Sequence, residues 1–223
     1  MKTRRRVLKT TISIALLVAG LGMVAFGLYG FIIRYKVTHE PNPTIPKEIV
    51  TKSIDTPSET APVEACTNYD VPANQPRQIS IPKLNKTGCV QKVGIDQNNA
   101  IAVPTNIHLA GWYTASSLPG ESGVTLIDGH ISGRYEDAIF AHLKDLKPGD
   151  EVKIQLGDKT WISYVIKDTN TYTIDKAAEE QLRQLSGVKS QLTIVTCGGK
   201  WLPHDKTYDK RVVVRAEMKG EDD

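Results

Sequence analysis

Three residues of this 223-residue chain are of the types that acyl-transfer chemistry uses. Cys197 ends the apolar run Leu192-Thr-Ile-Val-Thr, His130 ends Gly123-Val-Thr-Leu-Ile-Asp-Gly, and Arg211 opens Arg-Val-Val-Val-Arg-Ala-Glu. A lone cysteine after a strand-like run is most simply a buried packing residue, and it could also be a metal ligand or half of a disulfide. As a nucleophile it would need a base or ion-pair partner and donors for a developing oxyanion. An imidazole supplies the first at near-neutral pH, and a permanently charged guanidinium supplies the second. Side chains alternate along a strand, so Thr193, Val195 and Cys197 share one face, as do Arg211, Val213 and Arg215. If the two runs pair, Cys197 and Arg211 become neighbours on one side of a sheet. The residues between them, 198–210, read as a connecting loop rather than a tight turn.

The elements that must position these residues are mostly strands. Alternating or β-branched apolar runs predict strands at 79–81, 88–95, 101–103, 124–130, 151–156, 160–169, 191–197 and 211–217. Lys147-Pro-Gly-Asp150 and Gly157-Asp158 are turn signals between them. Helical patterns are few: a short one at 135–143, and one at 176–185 with Asp175 as N-cap and Gly187 as stop. About eight short strands with one or two short helices predict an all-β domain, a barrel or sandwich, over 78–218, with a short tail at 219–223.

Ahead of this domain lie three other segments. Five basic residues in 1–9 precede a run without charge, 10–33, that Arg34 and Lys36 close. As a helix the run is about 36 Å long, enough to cross a hydrocarbon core of about 30 Å. A cleaved signal peptide shares the basic start, but its apolar region is only about 7–15 residues, so an uncleaved anchor is expected. The excess of basic charge before the span puts the N-terminus in the cytoplasm and the rest outside. Residues 34–77, rich in Pro, Thr, Glu and Lys, read as a flexible extracellular stalk. Outside the cell two of the three thiols can oxidise; Cys66 and Cys89 are the candidate pair, which leaves Cys197 as the odd thiol. The net charge of +3 gives no reason for a nucleic-acid partner. No P-loop, dinucleotide fingerprint or Cys-x-x-Cys pair supports a nucleotide, cofactor or structural zinc reading. His108 and His204 lack a third ligand at metal spacing.

At this point the residues resemble a known family, the sortases. Leu-Thr-Ile-Val-Thr-Cys is similar to the sortase strand that carries the cysteine, Leu-Ile-Asp-Gly-His to the strand that ends in the histidine, and Asp-Lys-Arg-Val-Val-Val to the strand that begins with the arginine. The order His, Cys, Arg, the gaps of 67 and 14 residues, and the N-terminal anchor fit the same pattern. Val103-Pro-Thr-Asn-Ile-His-Leu-Ala-Gly-Trp-Tyr113 and Leu118-Pro-Gly-Glu-Ser-Gly123 resemble stretches of the smaller branches, class F most, with D or E as alternatives. One departure is Asp128, where sortases usually carry a small apolar residue; on an extended strand it shares a face with His130, and it either favours the charged imidazole or turns to solvent.

The resemblance implies a closed sortase-type β-barrel and a cysteine transpeptidase that works without cofactor or metal. Cys197 would attack the threonine carbonyl of a Leu-Pro-x-Thr-Gly-like sorting signal on secreted surface proteins. His130 would serve as acid and base, and Arg211 as oxyanion and substrate stabiliser, with Arg215 or Arg134 as substitutes. An amine of a peptidoglycan precursor or a pilin lysine would resolve the thioester. Val195, Thr196, Asp128 and Trp201 are the candidate substrate contacts. Two readings compete: an L,D-transpeptidase-like wall enzyme, whose histidine and cysteine usually lie closer in sequence, and an anchored β-barrel that binds a partner without catalysis.

Overall fold

The computed structural model describes residues 2–39, 45–54, 57–60, 66 and 69–220. The chain divides into two units, residues 1–40 and 41–223. The first holds one helix, α1 (Lys2–Thr38), whose stretch Ile14–Thr38 is long and apolar enough to cross a membrane. Its large apolar side chains, Leu17, Phe26 and Phe31 among them, are exposed. With no charge between positions 10 and 33, nothing in that stretch would have to be desolvated at a cost.

In the second unit eight strands close a barrel: β1 (Pro76–Ile81), β2 (Lys86–Val93), β3 (Ala110–Tyr113), β4 (Gly123–Gly129), β5 (Glu151–Leu156), β6 (Trp161–Thr173), β7 (Ser190–Leu202) and β8 (Thr207–Met218). The order around it is β1-β2-β3-β4-β7-β8-β6-β5. Two neighbour pairs, β2 with β3 and β4 with β7, are parallel, and the others are antiparallel. Strand alternation then sorts the side chains. Ile127, Leu192, Ile194, Val212 and Val214 point inward with Ile79, Ile154, Tyr164 and Phe140 into one core. Leu126, Val195 and Val213, one residue out of step, form a second cluster outside the barrel with Ala177, Ile101, Tyr113 and Tyr172.

The expected barrel is present, with four differences. The run 101–103 makes only an isolated bridge between Ile95 and Ile101, because the Asp96 side chain accepts the Asn98 and Ala100 N–H groups and folds that stretch into a loop. The short strand β3 takes its place; four residues are too few to show an alternation. Over 135–143 there is no helix, only a 3₁₀ turn at Leu143–Asp145, since Ile139 and Phe140 are drawn into the barrel end as core. The helix α2 (Ile174–Glu180) starts after Thr173 and stops short of residue 185.

The stretch read as a stalk is described only in part. Its described residues lie against the barrel: Val50 bonds to Lys92 and Gly94, and Ser58 to Thr105 and Ile107, while Glu59 and Thr60 are buried. Cys66 and Cys89 are joined by a disulfide with Cα atoms 5.3 Å apart, in a small cluster with Tyr69 and Leu109. At the outer face Arg215, 3% exposed, bonds Asp168 at 2.9 Å and Glu180 at 3.1 Å and so ties β8 to β6 and α2. Glu180 keeps Lys176 and Arg183 as partners, so removing the cation chiefly leaves the half-buried Asp168 without its ion pair and a gap beneath α2. Arg215→Ala is therefore expected to lower Tm by about 5 °C in a thermal melt.

Candidate active site

Pairing of β7 with β8 sets Cys197 directly opposite Arg211. On its other side β7 runs parallel to β4, with Asp128 opposite Val195 and Gly129 opposite Thr196, so the next residue along each strand is His130 and Cys197. Three residues separated by 67 and 14 positions thus meet on the outer face of three adjacent strands. The Thr196 hydroxyl fastens this junction by donating to the Gly129 carbonyl at 2.8 Å.

The glycines after Cys197 explain how the site stays open. Rather than a long loop, 198–210 is a hairpin: β7 continues to Leu202, β8 begins at Thr207, and the register shifts between Gly198 and Trp201. Gly199 sits at φ +81°, and a Cβ there would lie 2.0 Å from Asp209 Oδ1, which instead accepts the Lys200 N–H at 2.6 Å. Only glycine fits this bulge, which bends the hairpin just past the thiol.

Burial dominates the electrostatics of the trio. It pushes the Cys197 thiol above its ordinary value of 9.0; the Arg211 charge opposes this rise and the Asp128 carboxylate adds to it. Burial likewise holds His130 below its ordinary 6.5, against a hydrogen bond with the Pro104 carbonyl. That carbonyl only accepts, so His130 Nε2 is the donor, at 2.7 Å, and in the neutral ring Nδ1 keeps the lone pair. Nδ1 is the nitrogen left to exchange a proton. Arg211 gives its head group to the hairpin: Nη1 donates to the Tyr208 and Lys210 carbonyls at 2.9 and 2.8 Å, and Nη2 to Thr207 Oγ1 at 3.2 Å. Its charge reaches Cys197, and the Nε donor and one Nη2 donor are not used in these bonds.

The other candidates separate. Val195 stays on the Cys197 face, in the outer apolar cluster. Thr196 is on the opposite face and buried, with its hydroxyl spent on Gly129, so the expected substrate contact is replaced by a link between strands. Trp201 is half-exposed on the hairpin, edge-on to Tyr208 at 5.3 Å. Arg215 is held in its ion pairs, and Arg134 is exposed beyond the histidine strand, so Arg211 is the arginine at the register of the thiol.

Asp128 follows neither expected course. It is 9% exposed, so it does not turn to solvent, and it is not among the causes of the His130 shift. Its carboxyl lies over Gly111, where a Cβ would come within 2.3 Å of Oδ1, and that oxygen has no hydrogen-bond partner. Burial raises its pKa well above the ordinary carboxylate value. Since the Asp128 charge adds to the rise at Cys197, Asp128→Asn is expected to move the pH midpoint of Cys197 alkylation downward. Iodoacetamide rates measured across pH check this, and a stationary midpoint would uncouple the two groups.

Sequence reading missed the Pro104 carbonyl, a backbone group with no side-chain signal, and the lining residues Ile101, Tyr113, Tyr172 and Ala177, which only the barrel topology brings together. Among the described residues no group of three or more His, Cys, Asp or Glu side chains is placed to hold a metal ion.

Comparison with known proteins places this geometry. Sortase A from Corynebacterium diphtheriae superposes with a TM-score of 0.51 at 24% identity, covering 66% of this chain and 61% of that one. A lid mutant of the same enzyme gives 0.52 at 22%, covering 69% and 73%. A lid mutant of Streptococcus agalactiae sortase C1 gives 0.50 at 20%, covering 68% and 72%. These likenesses concern the fold, and they carry the class labels A and C; the expected class F has no support in them. No curated protein matches the chain significantly. The sequence model of the sortase domain matches residues 79–219, nearly the whole barrel from β1 to β8 and well over half the chain. The chain therefore belongs to the sortase family of cysteine transpeptidases.

Proposed function

We propose that this chain is a membrane-anchored sortase that cleaves a Leu-Pro-x-Thr-Gly-like sorting signal and joins the released carboxyl end to a cell-wall or pilin amine. The observation that carries the reading is the register of β4, β7 and β8, in which Cys197 stands opposite Arg211 and one step past the Gly129–Thr196 pair that leads into His130.

Cys197 Sγ, as thiolate, attacks the threonine carbonyl carbon, and Arg211, held by the hairpin through Nη1, offers its remaining donors to the new oxyanion. The carbon–nitrogen bond to glycine breaks as the imidazolium of His130 gives that amine a proton, leaving a thioester. An acceptor amine then attacks, His130 takes the proton it sheds, and the carbon–sulfur bond breaks to return the thiolate. The half-buried rim of the outer cluster, Ile101, Tyr113 and Tyr172, lies on the face that Val195 shares with Cys197 and suits the apolar leucine and proline of such a signal. The helix α1 would hold the domain at the outer face of the membrane, with residues 1–9 in the cytoplasm.

The test is a sorting-signal peptide whose threonine carbonyl is replaced by a thiol-trapping group. The purified protein should gain one peptide mass, located on Cys197 by fragmentation, and a scrambled peptide should give none. A binding module would retain the peptide without a covalent adduct. An L,D-transpeptidase-like enzyme would react with a wall stem peptide instead.

A further inference from the structure

His130 is held from two sides, and one short segment ahead of the barrel touches both supports. The ring support is Pro104; the residues after it, 105–107, pair with Ser58, whose N–H donates to the Thr105 carbonyl at 3.0 Å and whose carbonyl accepts from Ile107 N–H at 2.9 Å. Asn106 Nδ2 donates to the Thr60 carbonyl at 2.8 Å, and His108 Nε2 to the Glu59 carbonyl at 3.0 Å. The backbone support is the loop that follows His130, which folds on itself through Gly133 N–H to the Glu136 carbonyl and Phe140 N–H to the His130 carbonyl. The Glu59 carboxylate takes the tip of that loop: Oε1 accepts Arg134 N–H at 2.6 Å and Oε2 accepts Tyr135 N–H at 2.9 Å. Glu59 is 4% exposed. Gly133 leaves room for it, since a Cβ there would stand 2.6 Å from the Glu59 Cδ. Opposite, Ser132 Oγ bonds Tyr208 of the Cys197 hairpin at 3.0 Å.

A buried carboxylate that receives two backbone donors is a strong local fix, and it is spent on a loop with no part in the barrel ladder. We propose that Glu59 is a positioning residue for His130: the segment 58–60 clamps the loop after the histidine to the loop that binds its ring, and so sets where the imidazole delivers its proton. The proposal rests on the assignment of His130 as acid and base given above.

Acylation of Cys197 is measured as release of the leaving group in a single turnover, before any acceptor amine is added, with the full-length chain in detergent and two substrates of one peptide sequence. One carries the natural amide at the scissile position; the other carries a thioester, whose leaving group needs no proton. Glu59→Ala should lower the maximal acylation rate on the amide about 10- to 100-fold, the scale of a misplaced catalytic group, with the half-saturating concentration little changed. On the thioester it should stay within about threefold of the parent, a weaker form of the pattern His130→Ala gives. Gly133→Ala, which crowds the carboxylate from the other side, should reproduce that split with Glu59 intact, and it decides the matter if Glu59→Ala does not fold. Equal losses on both substrates, or none on either, would overturn the proposal while leaving the His130 assignment standing. A parent protein that turns over neither substrate would remove that assignment and this inference with it.

Discussion

Cys197→Ala is expected to keep the barrel and lose the reaction entirely: no covalent adduct with a thiol-trapping signal, no cleavage, no transfer. The two bridged cysteines cannot substitute, since their sulfurs are bonded to each other in the Cys66–Cys89 cluster. The hydroxyl of the adjacent residue, Thr196, points to the opposite face of β7 and donates to Gly129. Catalysis from oriented donors alone cannot replace a missing nucleophile in a reaction that passes through an acyl-enzyme. Because Cys197 is only partly exposed and its thiol makes no hydrogen bond that the barrel depends on, the thermal midpoint should move little. Mass spectrometry of the adduct and a peptide-transfer assay read the first part, and a melt the second. Residual transfer above the uncatalysed rate would end the assignment of the nucleophile.

His130→Ala is expected to lower kcat/KM on an amide signal by roughly 10²–10⁴, the usual range for a lost general acid–base group. Its signature in pH is more specific than its size. Burial depresses His130 and elevates Cys197, so between the two pKa values the resting pair is a neutral imidazole and a neutral thiol. The reactive thiolate–imidazolium form carries the same number of protons and is a minor, nearly constant fraction over that interval. Activity should therefore be bell-shaped. It falls on the acid side below the ordinary histidine value of 6.5, where a proton is added to the pair, and on the alkaline side above the ordinary thiol value of 9.0, where one is lost. In His130→Ala the acid limb should vanish, and the small remaining rate should climb with the thiolate up to the raised Cys197 pKa. Rates against pH for both proteins check this; a plateau between the two values that survives the substitution would mean another group titrates.

Much of the barrel and the trio was legible because both rest on local pattern. Period-two alternation marks β5, β7 and β8 whatever they pair with, and the same alternation puts Cys197 and Arg211 on matching faces once the strands adjoin. What could not be read has a common physical origin: it depends on partners far away in sequence. The Pro104 carbonyl is like any other until topology carries it over His130. Proline-rich composition suggests a stalk around Glu59, and it cannot reveal that one carboxylate there is buried and meets two N–H groups 75 and 76 residues on. Asp128 was misjudged for a related reason. Its strand position was right, yet its burial over Gly111 depends on β3, a short strand whose four residues show no alternation. The hairpin after Cys197 looked like a loop because its two glycines mask a bulge within a continuing strand.

The place of β8 between β7 and β6 bears on how the thiol would fare if, as proposed, the domain folds outside the membrane. The last strand in sequence closes the circle, so neither the arginine nor the walls around the thiol exist until nearly the whole chain has been made and delivered. During that interval the thiol of Cys197 would be as open to oxidation as the other two, and timing would protect it. Cys66 and Cys89 are 23 residues apart and meet where β2 folds back along β1, a local event that can be complete before residue 197 arrives. The nucleophile would then enter a chain whose competing sulfurs are already consumed, and the order of synthesis would do for it what a dedicated protective partner otherwise must.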